Sequence, residues 1–139
     1  MSVPQRSLGR VRPFLLLTTV CVLAACGRSL SDMAGEALDA CITTRNPLFT
    51  AGRGAEALDT PLPPAAEALA SKLSYTRASE MFQEVAKEAQ DQVTLVCALD
   101  LASRWRTREA QVFLRKYTKH PDAAVAAAAT RLAAQPVRD

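Results

Sequence analysis

Between Gln92 and Arg104 the chain is apolar on almost every side of a helix. Val93, Leu95, Val96, Cys97, Leu99, Leu101 and Ala102 spread round the axis at ~100° per residue and leave no polar stripe. A helix of that kind has to be enclosed, so the rest of the 139-residue chain must supply elements that surround it. Asp91, just before it, is a suitable N-cap. Asp100 interrupts the run, and a lone carboxylate on a buried helix is more often paired or at the helix edge than catalytic.

The flanking segments supply helices rather than strands. Ala78, Met81, Phe82, Val85, Ala86 and Ala89 repeat at i, i+3, i+4, i+7, i+8 and i+11, one face of a helix. Ala66, Leu69, Ala70 and Leu73 form a shorter stripe behind Pro64, which suits a first helical turn. Thr107 can cap a helix carrying Ala110, Phe113, Leu114 and Tyr117, and Asp122 one carrying Val125, Ala128, Ala129 and Leu132, stopped by Pro136. Asp32 to Thr44 reads as a first helix with Leu38, Cys41 and Ile42 on one face, ended by Asn46-Pro47. Residues 45–63, with Gly52, Gly54 and Thr60-Pro61-Leu62-Pro63-Pro64 at their end, read as one irregular loop. No stretch alternates as a strand would. The expected fold class is therefore all-α, a small bundle or short helical-hairpin array of about five to six helices in a single domain over 32–135, with a tail at 136–139.

The N-terminus has a different character. Residues 1–13 carry Arg6, Arg10 and Arg12 and no acid, and the 12 residues from Phe14 to Ala25 are almost wholly apolar. That run falls short of the ~20 residues a membrane-spanning helix needs, but fits a secretory signal. Leu23-Ala24-Ala25-Cys26 closes it and resembles the lipobox of bacterial lipoproteins. The resemblance covers residues 1–26. It implies removal of 1–25, acylation of Cys26, and a short tether over 26–31. Gly27 stands where an aspartate would retain such a protein in the inner membrane, so the resemblance implies the periplasmic face of the outer membrane. A plain secreted protein with a chance cysteine is the alternative. Several acyl chains on one cysteine would hold firmly, since each buried CH₂ contributes ~0.8 kcal/mol.

Loss of residues 1–25 leaves 114 residues, with 14 basic and 14 acidic side chains, so the excess of positive charge belongs to the signal. A neutral chain gives no support for nucleic-acid binding. Charge is unevenly spread: residues 32–100 hold 11 acids and 5 bases, whereas 104–119 hold six bases and one acid. Arg104, Trp105, Arg106, Arg108, Arg115, Lys116 and Lys119 are the candidate partner-binding residues, as a docking surface for an acidic partner or anionic headgroups. The alternatives are a solvated helix pair and, for Trp105, closure of the core. Cys41 and Cys97 remain after Cys21 leaves with the signal and Cys26 takes lipid. In an oxidising compartment they are expected to form a disulfide, with two buried free thiols as the alternative.

Residues 108–134 also resemble one HEAT-type helical hairpin, through Asp122, Val125, Ala128, Ala129 and Leu132 after a Pro-Asp turn. Ala126 replaces the arginine usual there, and Leu132 comes one residue early. Such arrays need about three units, so this likeness implies an interaction surface rather than an activity.

No catalytic constellation stands out. His120 is the one histidine, the serines lack a Gly-x-Ser-x-Gly setting, and there is no phosphate-cradling glycine loop. No enzyme activity, cofactor, metal site or nucleic-acid partner is expected. The expected function is a lipid-anchored periplasmic helical module, bound to the membrane through Cys26, that escorts or stabilises another envelope protein. Its most specific version is a pilotin, the type of lipoprotein that brings a secretin to the outer membrane. The rival is a carrier that holds a small apolar or lipid ligand between helices.

Overall fold

The computed structural model describes residues 29–73 and 75–138; the segment expected to be a signal and Cys26 lie outside them. The described chain forms six α-helices and one 3₁₀ turn: α1 (Leu30–Thr50), the turn (Gly54–Asp59), α2 (Pro64–Ser71), α3 (Tyr75–Glu88), α4 (Gln92–Ser103), α5 (Arg108–Arg115) and α6 (Ala123–Ala133). It is an all-helical bundle, as the stripes require, and α4 is its axis. Ten residues of α4 are buried, among them Leu95, Val96, Cys97, Leu99 and Leu101.

The three expected side-chain caps form. Asp91 accepts the backbone N–H of Thr94 at 2.9 Å, and Thr107 that of Ala110 at 3.2 Å. Asp122 accepts from Ala124 at 2.9 Å and Val125 at 3.2 Å. Each satisfies donors that a helix start leaves without partners. Ser29 does the same for α1, accepting from Asp32 at 3.1 Å, so the first helix begins two residues earlier than the apolar pattern suggests.

The end of α1 differs more. Asn46-Pro47 does not stop the helix, which continues through Pro47 to Thr50. Proline loses the hydrogen bond of one turn and crowds the carbonyl four residues back. Here that cost is met by what the extra turn packs and by a strong stop beyond it. Leu48 and Phe49 lie against the core. Gly52, at φ +75°, then sits in the left-handed conformation that glycine adopts freely. The N–H of Arg53 bonds to the carbonyl of Leu48 at 2.7 Å and that of Gly52 to Phe49 at 3.1 Å. This is the Schellman pattern that closes a helix. The loop expected over 45–63 is thus a helical turn, a glycine stop, the 3₁₀ turn and a proline-rich approach to α2. A Cβ on Gly54 would stand 2.8 Å from the Phe49 ring, so that glycine allows the turn to close over Phe49.

Two clusters fill the core, one on each side of α4. The first gathers Ala34, Ala37 and Cys41 of α1, Ala66 and Ala70 of α2, Phe82 of α3, and Val93, Cys97 and Leu101 of α4. Cys41 and Cys97 are joined there, with Cα atoms 6.0 Å apart. The second joins Leu95, Val96 and Leu99 of α4 to Phe113 and Leu114 of α5 and Val125, Ala129 and Leu132 of α6. The tail is tied down in part: the N–H of Arg138 bonds to the carbonyl of Arg106 at 2.9 Å, and the Gln111 side chain donates to the carbonyl of Gln135.

Candidate functional site

The seven residues of the basic segment 104–119 do not share one surface. Arg104 turns inward, and its Nη1 lies 2.5 Å from both carboxylate oxygens of Glu67 on α2. Its Nη2 lies 3.7 Å from Asp100. Trp105 stacks on Phe82, ring centroids 6.2 Å apart and planes 16° from parallel, and closes the disulfide-side cluster. Arg106 is half-buried at the chain reversal before α5. Arg108, Arg115, Lys116 and Lys119 are exposed. Positions 108, 112, 115 and 116 share one side of α5 at i, i+4, i+7 and i+8. Between the cations stands Val112, 52% accessible and the large apolar side chain most exposed among the described residues. The opposite side of α5, with Ala110, Phe113 and Leu114, is buried. The candidate surface is therefore narrower than the segment: an apolar centre flanked by Arg108, Arg115 and Lys116, with Glu109 also beside it.

Tyr117 and His120 follow α5. The rings of Phe113 and Tyr117 are tilted, with centroids 5.1 Å apart, and Tyr117 stacks on His120. Burial raises the Tyr117 phenol above its ordinary value, against the opposing pull of Lys87. His120 accepts the N–H of Asp122 on Nδ1 at 3.1 Å, which gives it a part in the turn before α6. The hydrogen bond from the Gln92 side chain lowers the Asp122 carboxyl; the N–H groups of Val125 and Ala124 and the nearby His120 add to this, against a desolvation cost. That bond also ties the start of α4 to the start of α6.

A second cluster was hidden in the sequence. Arg45 is 2% exposed. Its Nη1 donates to Asp100 at 2.6 Å and to the Cys41 sulfur at 3.3 Å, and its Nη2 to the carbonyl of Thr60 at 3.1 Å. Asp100 is thus the paired carboxylate that its place on α4 suggests. Arg45 was missed because the sequence reading put it in a loop. Carrying the helix past Pro47 places it four residues after Cys41, on the same face.

Three further concavities bear on function. An apolar groove of about 350 Å³ runs between α1 and α3, lined by Ala34, Gly35, Leu38, Met81, Phe82 and Val85 among others. A polar cleft of about 130 Å³ lies beside Arg45, Asp100, Arg104 and Arg131, next to one of about 240 Å³ that includes Arg106. Among the described residues no group of three or more His, Cys, Asp or Glu side chains is placed to hold a metal ion, and no helix is long and apolar enough to cross a membrane.

Comparison with known proteins returns no matching family model, no matching curated protein and no matching solved structure.

Proposed function

We propose that this protein is a lipid-anchored helical binding module on the periplasmic face of the bacterial outer membrane, without enzymatic activity, that escorts or stabilises another envelope component. The exposed face of α5 is its docking surface. The observation that carries this reading is Val112 displayed among Arg108, Arg115 and Lys116 on a helix whose other side is core. An apolar centre with a charged rim is how many protein interfaces are built, and the cations favour an acidic partner. Tethering adds to such a contact by confining both partners to one thin layer. Ser29 caps α1 three residues after Cys26, a reach of at most ~10 Å at ~3.3–3.6 Å per residue. A lipid on Cys26 would therefore keep the bundle against the membrane. In its most specific form the partner is a secretin and the protein a pilotin.

Mass spectrometry of the protein from fractionated membranes, with and without Cys26→Ser, tests the anchor. The expected species begins at acylated Cys26; a chain that keeps residues 1–25 sinks the tether. A photo-cross-linker at position 112, compared with one at exposed Thr43 on α1, tests the surface. A discrete adduct specific to position 112 is expected, and identical patterns from both positions rule the surface out. A secretin in that adduct would establish the pilotin version.

The apolar groove favours a second reading, the lipid or small-ligand carrier. An added Cβ on Gly35 meets nothing within 4 Å, so Gly35→Leu can fill the groove without breaking α1. Bound lipid that is extracted from the protein and lost in Gly35→Leu would support the carrier; protein free of extractable ligand would remove it.

A further inference from the structure

The polar concavities beside Asp100 are adjacent parts of one cleft. Asp100, Arg104 and Gln135 line both; Arg45 and Arg131 complete one part, and Ser103 and Arg106 the other. Four arginines therefore meet there. Their acidic partners are three: Asp100 for Arg45, Glu67 for Arg104, and Asp59 for Arg131 at 2.6 Å. Among the described residues Arg106 is left without one.

Two observations point to a missing acceptor. Nε of Arg45 is buried and has no hydrogen-bond partner, whereas Nη1 and Nη2 bond to Asp100, Cys41 and Thr60. Buried donors are almost always satisfied, so this orphan, although Nε itself is sealed from the cleft, shows that acceptors are scarce at the cleft wall. The other is Arg106. Its backbone has φ +53°, and it shares the positive-φ region with no other non-glycine residue among those described. That conformation is unfavourable for a residue with a Cβ, and glycine is the usual choice past a helix end. The chain keeps arginine there, its backbone fixed by a bond to the Ser103 carbonyl and one from the Arg138 N–H, both 2.9 Å. The strained backbone holds at the cleft wall a guanidinium with no carboxylate partner among the described residues. Held strain of this kind is common at binding sites.

We propose that this cleft binds a small oxyanion, a carboxylate or a phosphate, between Arg106, Arg104 and Arg131. Guanidinium groups match both anions through paired N–H donors. The Arg131–Asp59 pair is exposed on both sides, 55% and 62%, so exchanging Asp59 for a ligand oxygen costs little. Asp100 does not repel the ligand strongly, because Arg45 and Arg104 already compensate its charge. Together the two parts lie at the lower end of the ~300–1,000 Å³ of a drug-sized site, which fits a small ion. Neither the lipid anchor nor the basic face of α5 enters this site, so loss of anion binding and loss of cross-linking at position 112 are separable outcomes.

The test is calorimetric titration of the full-length protein in detergent with inorganic phosphate and, separately, with succinate, at an ionic strength held constant with chloride. Saturable one-site binding of at least one anion is expected, and the stronger response identifies phosphate or carboxylate as the natural chemistry. Arg106→Gln and Arg131→Gln should each weaken it by roughly tenfold or more, and Arg115→Gln on α5 should leave it unchanged. Arg106→Gly separates binding from structure: relief of the positive φ should raise the melting temperature while anion binding is lost. No saturable response to either anion, or unchanged binding in Arg106→Gln, would overturn the proposal.

Discussion

On one side of α4, a disulfide ties α1 to the axis, and Leu62, Leu73, Phe82, Val93 and Leu101 pack with alanines of α1 to α4. On the other side, Leu95, Val96, Leu99, Phe113, Leu114, Val125 and Leu132 pack with no covalent link. Alanines serve both sides, with Ala86, Ala98, Ala128 and Ala129 on the second, so the helices approach closely throughout. The disulfide side also encloses the Arg45–Asp100 ion pair, and desolvating two charges offsets much of their attraction. Its contacts span distant sequence, with 56 positions between the two cysteines. The far side is built mainly from α4, α5 and α6, which follow one another closely, so less loop-closure entropy is lost there. The lesson is that the less local half is the one that carries the cross-link.

The largest effect should come from removing that link. The double variant Cys41→Ser, Cys97→Ser should lose about 4 kcal/mol on the chain-entropy account, read from denaturant unfolding. Hydrogen exchange should show α1 opening before α5 and α6; uniform loss of protection would break the contrast between the halves. Next comes Asp100→Ala, which leaves Arg45 buried without its carboxylate and should cost about 3–4 kcal/mol. A cost below about 1 kcal/mol would mean that water reaches Arg45 freely. On the far side, Leu114→Ala removes a side chain 1% exposed and should cost about 3 kcal/mol, with the disulfide side keeping its protection. The smallest effect tests the tie between α4 and α6. Asp122→Ala should cost about 1 kcal/mol at neutral pH. The Asp122 carboxyl is held below its ordinary value, chiefly by Gln92. Its contribution is therefore complete above the unfolded pKa and is lost as the pH falls through the folded one. Asp122→Asn should flatten that acid limb, and an unchanged limb would place the titrating group elsewhere.

Much of this was legible in one dimension. The stripes of α3, α5 and α6 and the side-chain caps Asp91, Thr107 and Asp122 could be read because they depend on neighbours within one or two turns. The central place of α4 followed from its lack of a polar side. The end of α1 could not be read the same way. Proline at 47 is a local stop signal, and it was overruled by the packing of Leu48 and Phe49 and by the glycine stop at Gly52. The candidate surface was visible as charge in sequence, yet sequence proximity did not reveal that Arg104 turns to Glu67 and the polar cleft and Trp105 onto the core, while Arg108, Arg115, Lys116 and Lys119 face out.

The sequence alone determined the helices, their buried faces and the class of fold, because hydrophobic periodicity and capping are local properties of the chain. It also singled out Cys41 and Cys97 as the pair to join. Tertiary structure alone decided which charges are compensated. Arg45 with Asp100, Arg104 with Glu67 and Arg131 with Asp59 are 55, 37 and 72 positions apart. Electrostatic attraction and desolvation depend on distance and burial in space, and neither quantity exists until the helices have packed.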